Sequence, residues 1–149
     1  MSGELHRGSC LCGAVRYEVR GPLRSVIGCH CTQCRKQTGH YMAATAAKHE
    51  HFKIIKDDGL RWYRSSDMAE RGFCQVCGST MFWQGQGRDY VAIAAGSVDG
   101  ETGLSVAGHI FCGDKGDYYE IKDGEFQRAR EARIGGVSEL WRRREGSTS

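Results

Sequence analysis

Cys10-Leu11-Cys12-Gly13 and Cys74-Gln75-Val76-Cys77-Gly78 flank a third run, Cys29-His30-Cys31-Thr32-Gln33-Cys34, and these three segments hold seven of the chain's eight cysteines. Two thiolates one or two residues apart can share a tetrahedral metal ion while the turn between them aims backbone N–H groups at the sulfurs. A glycine after the second cysteine eases that turn. Zinc is the expected ion. A lone Cys-x-x-Cys also serves redox and haem chemistry, but Cys74-x-x-Cys77 has no βαβ pattern around it and no histidine directly after Cys77.

Ligand arithmetic adds to the motifs. A structural zinc takes four protein ligands, whereas a catalytic one keeps a position open on three. Seven clustered cysteines divide as four plus three. Cys10, Cys12, Cys74 and Cys77 would form a structural site that ties the start of the chain to its middle. Cys29, Cys31 and Cys34 lie on one turn and would leave one face of a second ion to solvent or substrate. The alternative is a second structural site, closed by His30, His109 or Cys112. Spacing alone leaves both open.

Working outward, 149 residues are one domain's worth of chain. Folding at this size buries roughly 68–70% of the surface that the unfolded chain exposes, so a core forms without staples. Eight cysteines in this length fall below the ~8–10% of a disulfide scaffold. The start, Met1-Ser2-Gly3-Glu4-Leu5-His6-Arg7, carries no apolar signal segment, so a cytoplasmic chain with reduced thiols is expected. No apolar run approaches the ~20 residues of a membrane span. Lys and Arg number 21 against 18 Asp and Glu, a net +3, yet residues 1–127 carry 15 of each sign. The excess sits in residues 128–149, a poor basis for nucleic-acid binding, which needs a basic face on the folded body. The expected organisation is a zinc-binding domain over 1–127 and a basic, partly helical tail over 128–149.

The hydropathy pattern is that of a mainly β protein. Val15, Tyr17 and Val19 alternate with Arg16, Glu18 and Arg20, the period of a half-buried strand. Leu60 and Trp62 alternate about Arg61, and Tyr90 to Ala95, His109 to Phe111 and Tyr118 to Ile121 complete the expected strands. Asp58-Gly59, Gly85-Gln86-Gly87, Asp99-Gly100 and Asp123-Gly124 punctuate them. Two short helices are expected, one after Cys31 and one over Val137 to Arg143, where Val137, Leu140 and Trp141 fall on one face. Phe73 and Trp83 read as core aromatics, Cys112 as a buried free thiol, and His6, His40, His49 and His51 as surface or structural.

Three segments carry a resemblance. Gly8-Ser9-Cys10-Leu11-Cys12-Gly13-Ala14-Val15-Arg16-Tyr17, Cys29 through Gly39, and Arg71-Gly72-Phe73-Cys74-Gln75-Val76-Cys77-Gly78-Ser79 resemble the glutathione-dependent formaldehyde-activating enzyme family, which includes the centromere protein V domain. A weaker match runs through Gly96-Ser97-Val98-Asp99 and His109-Ile110-Phe111. The resemblance implies two antiparallel sheets of short strands around a structural zinc, similar to methionine sulfoxide reductase B and a Rab accessory protein. It also implies two zinc ions, divided as the ligand count divides them. The implied partner is a small thiol such as glutathione. The implied reaction is carbon–sulfur lyase chemistry, the formation or cleavage of S-hydroxymethylglutathione.

On this reading Cys29, Cys31 and Cys34 carry the chemistry. Arg35 is the first candidate, and Lys36 the second, for a cation that offsets three thiolates. By this resemblance His109 is expected near the reactive cleft, with a satisfied core histidine as the alternative, and His30, lying between two ligands, is expected in a hydrogen bond behind the metal, in a substrate contact or in a plain structural role. The competing readings are a zinc-stabilised binding module without turnover and an enzyme acting on a different small thiol.

Overall fold

The structure, a computed structural model, describes residues 4–130. Its strands are β1 (Leu5–Ser9), β2 (Arg16–Arg20), β3 (Val26–Cys29), β4 (Met42–Lys48), β5 (Phe52–Lys56), β6 (Leu60–Ser66), β7 (Ala69–Cys74), β8 (Thr80–Gly85), β9 (Tyr90–Ala94), β10 (Val106–Ile110) and β11 (Phe126–Gln127). One α-helix among the described residues, α1 (Thr32–Thr38), follows β3. The expected helix over Val137 to Arg143 lies outside the described residues, as does most of the basic tail. Arg128 and Ala129 belong to the body. Arg128 N donates to His109 O, and the Arg128 and Ala129 carbonyls accept from Cys112 N and Gly113 N.

Two sheets form, in the orders β1-β2-β5 and β11-β10-β3-β4-β9-β8-β7-β6. The small sheet is antiparallel, but the large one is mixed, because β10 runs parallel to both β3 and β11. The chain leaves β9 and crosses past β4 and β3 before entering β10, a connection long enough to reverse the usual hairpin direction. The expected strand over Tyr118 to Ile121 is irregular backbone instead. Its apolar character serves ring packing: Tyr119 stacks on His30 and Tyr41 rather than joining a ladder.

The main core fills the space between the sheets. Tyr17 and Val19 from β2 meet Met81 and Phe82 from β8 and Val91 and Ile93 from β9, all fully buried. Tyr17 and Phe82 touch edge to face with centroids 5.4 Å apart, a geometry that favours aromatic pairs. The alternation read at Val15, Tyr17 and Val19 is the inward face of β2.

The opposite face of the large sheet is a second apolar surface. Ile27 and Cys29 of β3, Met42 and Ala44 of β4, Ala92 of β9 and Trp83 of β8 line a cavity of about 1180 Å³ on it. Along β4 and β9 the period of two thus gives Ala47, Val91 and Ile93 to the core and Met42, Ala44 and Ala92 to the cavity. Trp83, expected in the core, stands on the cavity side.

Gly28 on β3 faces away from the cavity, where a Cβ would lie 2.5 Å from Nδ1 of His109 and 3.0 Å from Tyr41. The bare backbone is what lets the His109 ring settle over the strand. Gly28→Ala is predicted to destabilise the fold by about 1–3 kcal/mol through overpacking, measured as a lowered midpoint in urea unfolding.

Candidate metal centres and active-site cavity

The first cysteine group joins the two sheets. Cys10 and Cys12 lie on the turn leaving β1, Cys74 ends β7, and Cys77 lies on the turn into β8. One Sγ from each of the four lies within 4.8 Å of the others. Sγ of Cys12 is 3.7 Å from Cys10 and 3.8 Å from Cys74. Backbone amides point at the sulfurs as the spacing implied: Val15 N donates to Cys10 Sγ at 3.3 Å and Cys77 N to Cys74 Sγ at 3.5 Å. The Ser79 hydroxyl beside Cys77 pulls that thiol down to about 5, favouring the thiolate a metal needs.

Cys29, Cys31 and Cys34 form the second group, again with all Sγ atoms within 4.8 Å. The end of β3 supplies Cys29, Cys31 caps α1, and Cys34 lies in its first turn. Cys34 N donates to Cys31 Sγ, as an N-cap side chain receives the free amide of a helix start. The three sulfurs share charge unequally: hydrogen bonds from Cys29 and then Cys34 push Cys31 far down, and the same contact with Cys31 pushes Cys29 far up. Three thiolates this close need a cation to ionise together. Soft thiolate donors, four in one group and three in the other, suit metal ions such as zinc.

No fourth His, Cys, Asp or Glu joins the second group among the described residues. The alternation of β10 explains why His109 does not. Ile110 lines the cavity, while His109 lies on the other face of the sheet and is absent from the cavity wall. There it is buried between His30 and Glu125, with Nδ1 2.8 Å from His30 Nε2 and Nε2 2.8 Å from Glu125 Oε1. Of the two places expected for His109, the structure puts it in the buried, hydrogen-bonded one behind the sheet, away from the residues that line the cavity.

One set of tautomers satisfies this buried chain. An ionised Glu125 can only accept, so His109 Nε2–H donates to it and His109 Nδ1 accepts from His30 Nε2–H. His30 Nδ1 then accepts from the Tyr119 hydroxyl. Burial, followed by the neighbouring His109, holds the His30 imidazole down at about 4, so it is neutral as this chain requires. His30 sits between two thiols in sequence yet points through the sheet, supporting their turn from behind. Cys112 is half-buried rather than buried and belongs to neither group.

The cation at the thiols is Arg71. Its guanidinium, buried at 5% exposure, donates from Nη1 to Cys34 Sγ at 3.4 Å. Gln37 Oε1 and Gln33 Oε1, both on α1, accept from Nη1 and Nη2 and hold it in place. Arg35, though adjacent to Cys34, donates to the Asp114 carbonyl, and Lys36 is exposed. A residue on a helix follows the ligand by about 100° of rotation, so its neighbour in sequence faces elsewhere. Arg71 reaches the sulfur across the sheet, from a strand 37 residues on. The signal available in sequence was Arg71 standing at the head of the third matching segment.

No helix among the described residues is long and apolar enough to cross a membrane. A protein of Schizosaccharomyces pombe named as an uncharacterized lyase is 26% identical over 118 residues, covering 78% of this chain and 85% of that one. A Halomonas elongata protein that carries the name glutathione-dependent formaldehyde-activating enzyme in provisional form is 27% identical over 139 residues, covering 83% and 85%. A crystal structure of a Rhodobacter sphaeroides protein shares the fold at a TM-score of 0.56 and 24% identity, over 67% of this chain and 97% of that one. The model of the glutathione-dependent formaldehyde-activating enzyme family matches residues 5–114, a span that takes in all seven clustered cysteines and Arg71. The chain therefore belongs to the glutathione-dependent formaldehyde-activating enzyme family.

Proposed function

We propose that this protein is a zinc-dependent carbon–sulfur lyase that joins a glutathione-like thiol to formaldehyde, or releases them, at the Cys29, Cys31 and Cys34 centre. The observation that carries this reading is a group of only three thiols opening on a cavity of about 1180 Å³. A binding module with two closed structural ions would have no use for that opening. The four-cysteine group is the folding site in this reading.

A zinc ion held by Cys29, Cys31 and Cys34 would supply Lewis acidity and lower the pKa of a substrate thiol. Three thiolates and one divalent cation leave a charge of −1, which would repel a fourth sulfur anion. Arg71 brings that local sum to zero. Its contact with Cys34 draws electron density from the thiolate, and Gln33 and Gln37 keep the guanidinium from drifting toward solvent.

The apolar wall of Met42, Ala44, Ala92 and Trp83 displaces water from the sulfur, which strengthens these electrostatic effects. In the forward direction the thiolate sulfur attacks the aldehyde carbon and a C–S bond forms. The carbonyl π pair moves to oxygen, and the proton given up by the thiol ends on that oxygen. No redox partner is needed.

Three expected outcomes follow. Exchange spectroscopy of formaldehyde with glutathione should show faster interconversion with the protein than in buffer; an unchanged rate removes this substrate pair. Cys74→Ala should fail to fold, since a structural zinc contributes on the order of 10 kcal/mol, whereas Cys31→Ala should stay folded and lose one of two zinc ions by elemental analysis. Equal unfolding of both variants refutes the division of roles. Arg71→Met should lower kcat by about 10- to 100-fold with the fold intact, the range for groups that support a metal ligand; wild-type turnover would clear Arg71 of that role.

A further inference from the structure

Arg24 is the second buried guanidinium on the same cavity wall, at 6% exposure. It lies just before β3. Its Nε donates to Ser25 O at 3.1 Å and its Nη2 to Ala44 O at 2.8 Å, and no carboxylate pairs with it among the described residues. The cavity's own acidic groups are engaged or elsewhere. Asp89 is exposed and bound to Lys48 at 2.9 Å, and Asp114 is exposed at the end where its carbonyl holds Arg35. A buried charge is normally paired, because desolvation is otherwise uncompensated. Burial lowers Arg24 to about 10, which still leaves it charged at neutral pH.

We infer that Arg24 is the counter-charge for a carboxylate on the substrate, so that the cavity selects thiols bearing a carboxylate about one peptide unit away. The spacing follows from the sheet register. Cys29 pairs with Met42 and Ile27 with Ala44, so the carbonyl that holds Arg24 is two strand residues from the reactive turn, about 7 Å. One peptide unit spans ~3.8 Å between Cα atoms, and a cysteine side chain at one end with a terminal carboxylate at the other extends this to about 7 Å. In a glutathione-like tripeptide that group is the C-terminal carboxylate beyond the cysteine; the carboxylate at the other end of the molecule is farther away. Arg71 then serves the sulfur end and Arg24 the carboxylate end of one ligand.

This inference rests on the thiol-substrate reading, and binding separates the two. Zinc-loaded full-length protein is titrated calorimetrically with glutathione and with its C-terminal carboxamide, which keeps the thiol and loses only the nearer carboxylate. The wild type should bind glutathione at least about tenfold more tightly than the amide, as expected for loss of a charge-assisted hydrogen bond. Arg24→Gln should bind both alike, and Arg24→Lys should restore part of the preference. Equal binding of both ligands by the wild type overturns the assignment of Arg24 and leaves the thiol reading standing. Binding of neither ligand overturns both. If Arg24→Gln does not fold, the comparison of the two ligands on the wild type and on Arg24→Lys still decides.

Discussion

Everything in this molecule hangs on the four sulfurs of Cys10, Cys12, Cys74 and Cys77. They join the turn that leaves the small sheet to the end of β7 in the large one, 62 residues apart between Cys12 and Cys74. Cys10 and Cys74 are themselves part of the core between the sheets, in one buried cluster with Val15, Tyr17 and Phe82. A three-stranded sheet with one apolar face must bury that face against another element. Held to the large sheet at this corner, it covers one face with apolar side chains and leaves the other face free for a cavity.

That division of faces determines which side chains surround the three-cysteine turn. On β3, Cys29 and Ile27 face the cavity and Gly28 faces the buried histidines; on β10, Ile110 and His109 divide in the same way. The three-cysteine turn therefore receives support from both sides. Arg71 approaches the sulfurs through the cavity wall, while Tyr119, His30, His109 and Glu125 hold the backbone from behind. A neutral hydrogen-bonded chain behind the turn and a cation beside it let three thiols stand together without strain on the core.

Part of the fold was legible because its signals were local. The alternation at Val15, Tyr17 and Val19 and at Leu60 and Trp62 reports a strand's period directly, and both stretches are strands or enter them. The parallel entry of β10 was not legible, since direction depends on where a strand finds a partner. Tyr118 to Ile121 misled for a related reason. Its aromatic residues satisfy ring stacking on His30 and His40, and propensity cannot distinguish that from a ladder. Missing β7 as a strand also concealed that Arg71 and Trp83 are cross-strand partners on one face.

The sequence by itself marked the two cysteine groups, of four and three, that could hold metal ions, because sulfur coordination is constrained by spacing of one or two residues and leaves a mark in the chain. It also determined the family, through those same motifs. Only the tertiary structure decided which cation touches the thiols, which histidine stays out of the cavity, and that a second buried arginine lines the same cavity. Those outcomes turn on register and on which side of a strand faces the cavity. A shift of one residue moves a side chain through the sheet, and no spacing in the chain records on which side it will emerge.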